Sequence, residues 1–355
     1  MKSFEYIAPK TLDEALAILS DDEGTRLFAG GTDLLGEMKR GVIAPEKLLD
    51  LKSVGGLEII RQEPDGGLAI GSLATLSEIA ENPLVKQSYP LLVQAIEQTA
   101  SPQIRNVATL GGNLCQRPRC WYYRHPDFPC LRKHGESCFA VWGNSRYHAI
   151  WGGNRCFIVH RSDPAAALMA LDAHTQIAYS EGIRAVPLRE FFVTPGENLT
   201  QETVLQPNEI LTGIKLPPPL PNARGIYLKV AERKATDFAL ASVALHLAWE
   251  GTRINHARVV LGSVAPVPWR LQHVEEILLG DELSQDFDKA LPTPSKEKIQ
   301  LACEGAVEGA KQIRHNGYKI PLVKGLLRKA LRLVFESQLG TKIEEETKRK
   351  PQTER

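Results

Sequence analysis

Five of the chain's six cysteines lie between Thr109 and Asp163, and thiolates are strong ligands for zinc and iron. Their spacing is Cys115-x4-Cys120-x9-Cys130-x7-Cys138-x17-Cys156. A zinc ribbon would show paired C-x2-C knuckles, and ferredoxin-type sites C-x4-C-x2-C or C-x2-C-x2-C; neither pattern is complete here. The spacing leaves an iron–sulfur cluster, structural zinc and unmetallated thiols open. The segment is rich in arginine, histidine and proline and has no sustained hydrophobic period, so a metal cluster is expected to order it in place of a core. Trp121, Tyr122, Tyr123 and Phe128 lie beside the thiols; packing under a loop accounts for them, and water exclusion is their functional reading. His125, His134 and His148 are read as solvated or hydrogen-bonded before they are read as ligands.

Two glycine pairs form a second constellation. In A-G-G-T-D-L (29–34) the glycines let consecutive backbone N–H groups face an anion, and Thr32 adds a hydroxyl. T-L-G-G-N (109–113) repeats the arrangement, with Thr109 before the pair and Asn113 after it. Neither is G-x-G-x-x-G or a Walker loop, which argues against Rossmann and P-loop enzymes. Each loop alone reads as a turn; together, near the ends of expected strands, they suggest a diphosphate-containing cofactor. There is no G-x-S-x-G elbow and no H-E-x-x-H, and acid pairs such as Asp21-Asp22 read as solvated charge.

The elements around these residues form an α+β chain. Its 355 residues exceed one comfortable core, and a formal charge of +1 gives no electrostatic case for nucleic-acid or membrane-surface binding. No apolar run is long enough for a membrane span, and the first ten residues carry too little apolar character for a secretion signal. Capping boxes at Thr11/Glu14 and Thr75/Glu78 predict helices, with strands at 48–51, 67–71, 176–179 and 209–216. Asp163 is expected to cap a helix with Pro164 at its first position. The proline group at 216–221 marks a domain boundary. Beyond it, alternation at Ala241, Val243, Leu245, Leu247 and Trp249 predicts an antiparallel hairpin, followed by helices at 297–312 and 320–338. Cys303 falls in the first of these as a buried thiol, and residues 340–355 are expected to be disordered. The resulting division is 1–60 and 61–217, with an insertion at 115–157, then 222–338.

Three ordered motifs, L-F-A-G-G-T-D-L (27–34), P-Q-I-R-N-V-A-T-L-G-G-N-L (102–114) and S-D-P-A-A-A-L-M-A-L-D-A (162–173), resemble the FAD-binding subunit of the molybdenum hydroxylases, over residues 4 to 335. The resemblance implies a two-subdomain FAD-binding domain of the vanillyl-alcohol-oxidase type, followed by an α+β domain with an antiparallel sheet. It places the FAD diphosphate on Leu27, Phe28, Ala29, Gly30, Gly31, Thr32, Asp33 and Leu34. Thr109, Gly112 and Asn113 match the second FAD loop, Asp163 the adenosine-side acid, and Leu211 and Lys229 flavin-proximal positions. Thr99 stands where xanthine dehydrogenases place an aromatic over the flavin.

The cysteine insertion resembles those of periplasmic aldehyde oxidoreductases and 4-hydroxybenzoyl-CoA reductases, in which four cysteines hold a 4Fe–4S cluster. That likeness makes Cys120, Cys130, Cys138 and Cys156 the ligands. It implies an electron-transfer subunit of an aldehyde oxidoreductase, inactive alone. Its partners would be a large molybdopterin-binding subunit and a small 2Fe–2S subunit, in the cytoplasm or co-exported to the periplasm. A hydroxybenzoyl-CoA dehydroxylase subunit, a zinc-stapled flavoprotein and a free-standing flavin oxidase are the rival readings.

Overall fold

The computed structural model describes residues 1–20, 24–233, 236–251, 253–280 and 296–349. The N-terminal unit is a three-stranded parallel sheet of β1 (Glu5–Ile7), β2 (Thr25–Phe28) and β3 (Lys47–Asp50), ordered β1-β3-β2. Parallel strands need a crossover, and the helix Leu12–Ser20 supplies one between β1 and β2. Its Ala15, Leu16 and Leu19 pack on Leu49 and Leu51. From β2 the chain turns through Gly30–Gly31 into the helix Leu34–Lys39, which leaves the glycine loop at one edge of the unit.

The second unit is a five-stranded antiparallel sheet, ordered β4-β5-β8-β6-β7. Its strands are β4 (Ile60–Gln62), β5 (Leu68–Gly71), β6 (His174–Tyr179), β7 (Gly182–Pro187) and β8 (Ile210–Leu216). Helices Leu76–Glu81, Pro90–Glu97 and Asp163–Ala170 cover one face of it, burying Ile79, Leu92, Ile96 and Leu168 against Ile70 and Ile214. The second glycine pair opens the short helix Leu110–Leu114 against this sheet.

After the proline linker comes an antiparallel sheet of β9 (Ala223–Val230), β10 (Ala241–Glu250), β11 (Arg253–Gly262) and β12 (Trp269–Arg270). The alternating residues Ala241 to Trp249 face helices Gln272–Leu278, Lys296–Gly305 and Lys319–Arg349, with Cys303 fully buried among them. The other face is also dry: Ala244 and Val260 join the core of the second unit under the helix Asp163–Ala170. That helix is therefore clamped between two sheets, and all its residues are buried.

The structure differs from expectation in several places. Ser162, not Asp163, caps the clamped helix: its Oγ accepts from the Ala165 N–H at 3.0 Å, which releases the Asp163 carboxylate for other contacts. The helix expected over 297–312 stops at Gly305, and the chain turns through Gly309 at φ +70°. The final helix runs Lys319–Arg349 where 320–338 was expected, and residues 350–355 of the expected disordered tail lie outside the described residues. Strand β9 had no alternation to announce it and is found because β10 pairs with it along its length. Among the described residues, no helix is long and apolar enough to cross a membrane.

Candidate cofactor site and cysteine cluster

The two glycine loops meet. Gly30 packs so closely on the second loop's approach that a Cβ there would lie 1.9 Å from the Val107 carbonyl oxygen. Gly31 follows at φ +67°, a left-handed conformation open to glycine. Among the described residues, nothing accepts a hydrogen bond from the backbone N–H of Gly31, Thr32 or Asp33. Three adjacent unpaired donors around a left-handed residue make an anion-binding nest. Facing it, the Thr109 hydroxyl accepts from the Gly112 N–H at 3.2 Å, which fixes the second loop, and the Gly111 N–H is held by the Ser72 carbonyl at 2.8 Å.

Two cavities of about 210 and 190 Å³ flank this meeting point, and both are lined by Thr32, Asp33 and Gly112. The first is apolar, walled by Leu27, Leu51, Leu73, Leu205 and Leu211, with Cys115 in the wall. Burial pushes the Cys115 thiol up to about 12, so it behaves as a neutral apolar group. The second is polar, lined by Thr99, Asn113, Arg161, Asp163 and Lys229. Two lobes joined at an anion nest have the outline of a dinucleotide: a ring at each end and a diphosphate between.

In the polar lobe, Asp163 accepts from Lys229 Nζ at 2.7 Å and from the Tyr227 hydroxyl at 2.5 Å, and all three side chains are buried. Burial raises the Asp163 carboxyl, and the Lys229 ammonium opposes that shift. The same carboxylate drives the Tyr227 hydroxyl, already raised by burial, further above its ordinary value. Asn113 Oδ1 accepts from the Ser162 hydroxyl at 2.5 Å, which pins the two ends of the cysteine insertion together.

Of the expected FAD residues, Leu27 and Ala29 to Leu34 line the apolar lobe, with Thr109, Gly112 and Leu211. Phe28 lines neither lobe; it packs edge-on against Tyr6, with Lys52 Nζ 3.9 Å over its ring. The expected division of Asp163 to one end, and Leu211 with Lys229 to the other, does not hold. Lys229 is ion-paired to Asp163 in one lobe, and Leu211 lines the other.

Asp33 ties this cradle to the cysteine insertion. Its Oδ2 accepts from the Arg117 N–H at 2.7 Å, and its Oδ1 pairs with Arg124 at 2.7 Å and Arg119 at 3.0 Å. Arg117 continues outward, with Nη1 2.5 Å from Glu202, and Glu202 also pairs with the buried Arg132. Cys156 is the neighbour that most opposes the effect of burial on the Arg132 guanidinium. A continuous chain of hydrogen bonds and ion pairs therefore runs from the glycine loop to the turn that begins at Cys130.

Cys120, Cys130 and Cys138 each stand immediately before a helical turn, at Trp121–Arg124, Leu131–Lys133 and Phe139–Trp142. Gly135, where a Cβ would fall 1.6 Å from the Pro129 carbonyl oxygen, and His134 at φ +63° fold the segment back so that Cys130 bridges to Ser137, next to Cys138. Cys138 and Cys156 are neighbours whose interaction lowers the Cys138 thiol and raises that of Cys156. Cys120 feels both Cys138 and Cys130, and its sulfur lies 3.3 Å from His148 Nε2. Tyr122, Phe128 and Phe139 cover the group with mutual ring contacts of 5.1–6.0 Å. Among the described residues, no three His, Cys, Asp or Glu side chains converge tightly enough for a single metal ion. His125 and His134 are not drawn into the group. The residues of this network that the sequence did not single out are Arg117, Arg119, Arg124, Arg132, Tyr227 and Glu202; the string Q-R-P-R-C-W-Y-Y-R showed Arg117, Arg119 and Arg124 but neither Arg132 nor the acids.

Comparison with known proteins agrees with this geometry. Residues 2–219 match the family described as FAD binding domain in molybdopterin dehydrogenase, and residues 226–334 the CO dehydrogenase flavoprotein C-terminal domain. The aldehyde oxidoreductase FAD-binding subunit PaoB of Escherichia coli is 38% identical over 309 residues, covering 85% of this chain and 95% of that one. The carbon monoxide dehydrogenase medium chain of Hydrogenophaga pseudoflava is 28% identical, covering 92% and 96%. A solved carbon monoxide dehydrogenase structure from the same organism superposes with a TM-score of 0.73 at 26% identity, covering 95% of this chain and 98% of its counterpart. The chain belongs to the FAD-binding medium subunits of the molybdenum hydroxylase family, whose assemblies are oxidoreductases.

Proposed function

We propose that this chain is the FAD- and 4Fe–4S-carrying electron-transfer subunit of a molybdenum-dependent aldehyde oxidoreductase. Its partners would be a large molybdopterin-binding subunit and a small 2Fe–2S subunit. The observation that carries this is the two-lobed groove around an anion nest, bonded through Asp33 to a covered group of four cysteines. The aldehyde assignment rests on the relative at 38% identity.

What supports each cofactor is a feature of the chain's own residues. For FAD it is the three unpaired N–H donors of the nest and the lack of room for a Cβ at Gly30. For the cluster it is Arg132, buried on the turn that begins at Cys130, whose Nε and Nη1 have no acceptor among the described residues. A buried donor without an acceptor is costly, and cluster sulfur would supply one. Cys120, Cys130, Cys138 and Cys156 would be the ligands. A cubane needs four sulfurs spread around a larger object, which suits a group that does not converge on one ion.

When bound, FAD supplies exchange between single-electron carriers and a two-electron acceptor, and the cluster supplies one-electron transfer. The chain's own residues hold and shield these groups. The nest N–H groups and Thr109 would bind the diphosphate. The polar lobe suits the flavin ring: Lys229, locked by Asp163, puts a fixed cation there. This lobe also shares Arg119, Arg161, Asp237 and Phe238 with an open cavity of about 850 Å³ through which an external acceptor could approach. The apolar lobe, with Leu51, Leu73, Leu205 and Leu211, suits adenine.

Anaerobic purification of the assembled complex, with metal, sulfide and flavin quantitation, tests this. One FAD and about four iron atoms attributable to this chain are expected. Zinc without iron overturns the cluster, and a chain without flavin overturns the cradle. The complex should oxidise aromatic aldehydes and the isolated chain should not; turnover of hydroxybenzoyl-CoA instead would move the assignment to the dehydroxylase class.

A further inference from the structure

Arg132 is an unusual residue to find inside a protein. Its side chain is 1% exposed, on the turn that begins at Cys130, and burial of a guanidinium requires both a counter-charge and acceptors. Its carboxylate partner among the described residues, Glu202, is 6% exposed and divided between Arg132 and Arg117. Among the described residues, Nε and Nη1 of Arg132 remain without an acceptor, two residues along the turn from Cys130. The arrangement leaves a fixed cation, with spare donors, beside one of the four cysteines.

We propose that Arg132, held in place by Glu202, sets the reduction potential of the cluster borne by Cys120, Cys130, Cys138 and Cys156. Arg132 is a positioning residue and not a ligand; the inference rests on the cluster reading above. A cluster becomes one charge more negative when reduced. A nearby cation that donates to its sulfurs therefore favours the reduced state and raises the potential, and a nearby carboxylate does the reverse. Low dielectric strengthens both effects, because Cys130 and Cys156 are buried. Arg132 and Glu202 therefore act on the potential with opposite signs.

The test is an EPR-monitored redox titration of the assembled complex, with iron counted in each variant. Arg132→Gln should shift the reduced-to-oxidised equilibrium at least tenfold toward the oxidised cluster, about 59 mV lower for a one-electron couple. Glu202→Gln should shift it several-fold the other way, and Arg132→Lys, which keeps the charge, should stay near the wild type. A merely structural role would move both charge-removing variants in one direction. Shifts of the same sign, or an iron-replete Arg132→Gln at the wild-type potential, overturn the inference. If Arg132→Gln fails to assemble its cluster, Glu202→Gln decides: no rise overturns it. A wild-type chain without iron overturns the cluster reading as well, whereas iron with unmoved potentials overturns this inference alone.

Discussion

The glycine cradle and the cysteine insertion lie against each other, yet they are built from opposite materials. The cradle works through backbone: Gly30 is there because nothing larger fits under the Val107 carbonyl, and its donors are main-chain N–H groups. The insertion works through long side chains: Arg117, Arg119, Arg124 and Arg132 reach acids that lie in other segments of the chain. A backbone device is specified by its own few residues. A side-chain device is specified by pairs, and each pair couples two regions. Asp33 is where the two kinds meet, since it belongs to the glycine loop by sequence and to the arginines by contact.

If the two regions are separable modules, a lesion in one should spare the other. The largest effect is expected for Cys138→Ser, which removes a proposed ligand: the complex should lose nearly all the iron of this chain while retaining most of its flavin, read by metal analysis and absorbance. Loss of both in equal measure would show that the cluster props up the cradle. Gly30→Ala is the reverse lesion. Its methyl group has no room, and overpacking of this kind costs about 2 kcal/mol, so flavin affinity should fall roughly thirtyfold with iron retained. Asp33→Asn strikes the joint itself. It keeps the shape of the loop but strips the carboxylate from Arg119 and Arg124, and flavin should leave about tenfold faster, worth roughly 1.4 kcal/mol. An unchanged release rate would mean the arginine contacts do not support the cradle.

The same contrast decides what could be read from the sequence. The glycine pairs, the capping box at Thr75/Glu78 and the hairpin β10–β11 are local patterns, and the structure contains each of them. The cysteine group was legible as a set of thiols, and the turns that organise it were not: Gly135 and His134 set the fold-back through conformation, with no period to betray it. The acids were least legible. Nothing near Glu202 marks it as the partner of Arg117 and Arg132, because the pairing exists only once two distant segments meet. Asp163 shows the limit from another side. Its position beside Pro164 reads as a cap, but Ser162 takes that role and the carboxylate goes to Tyr227 and Lys229, on a strand beyond the linker.

His160 offers the smallest and most selective probe of the comparison. It lies where the insertion returns to the cradle, buried edge-on against Phe192 at 4.6 Å, with Nε2 3.1 Å from the Leu114 carbonyl oxygen. A carbonyl only accepts, so Nε2 carries the hydrogen, and Nδ1, which meets no partner, is bare. Burial pushes this histidine down to about 4 from an ordinary value of 6.5. Because the unfolded chain binds the proton first, the stability present above pH 6.5 is lost as pH falls toward 4. The loss reaches about 0.8 kcal/mol at pH 6. His148, beside Cys120 in the insertion, is pushed down to about 4 in the same way, so the His160 variant is what isolates the cradle's share. Flavin release from the complex should accelerate between pH 7 and 6. His160→Gln, which preserves a donor to Leu114 without a titrating ring, should flatten the dependence; an equal slope in that variant would assign the pH response to another group.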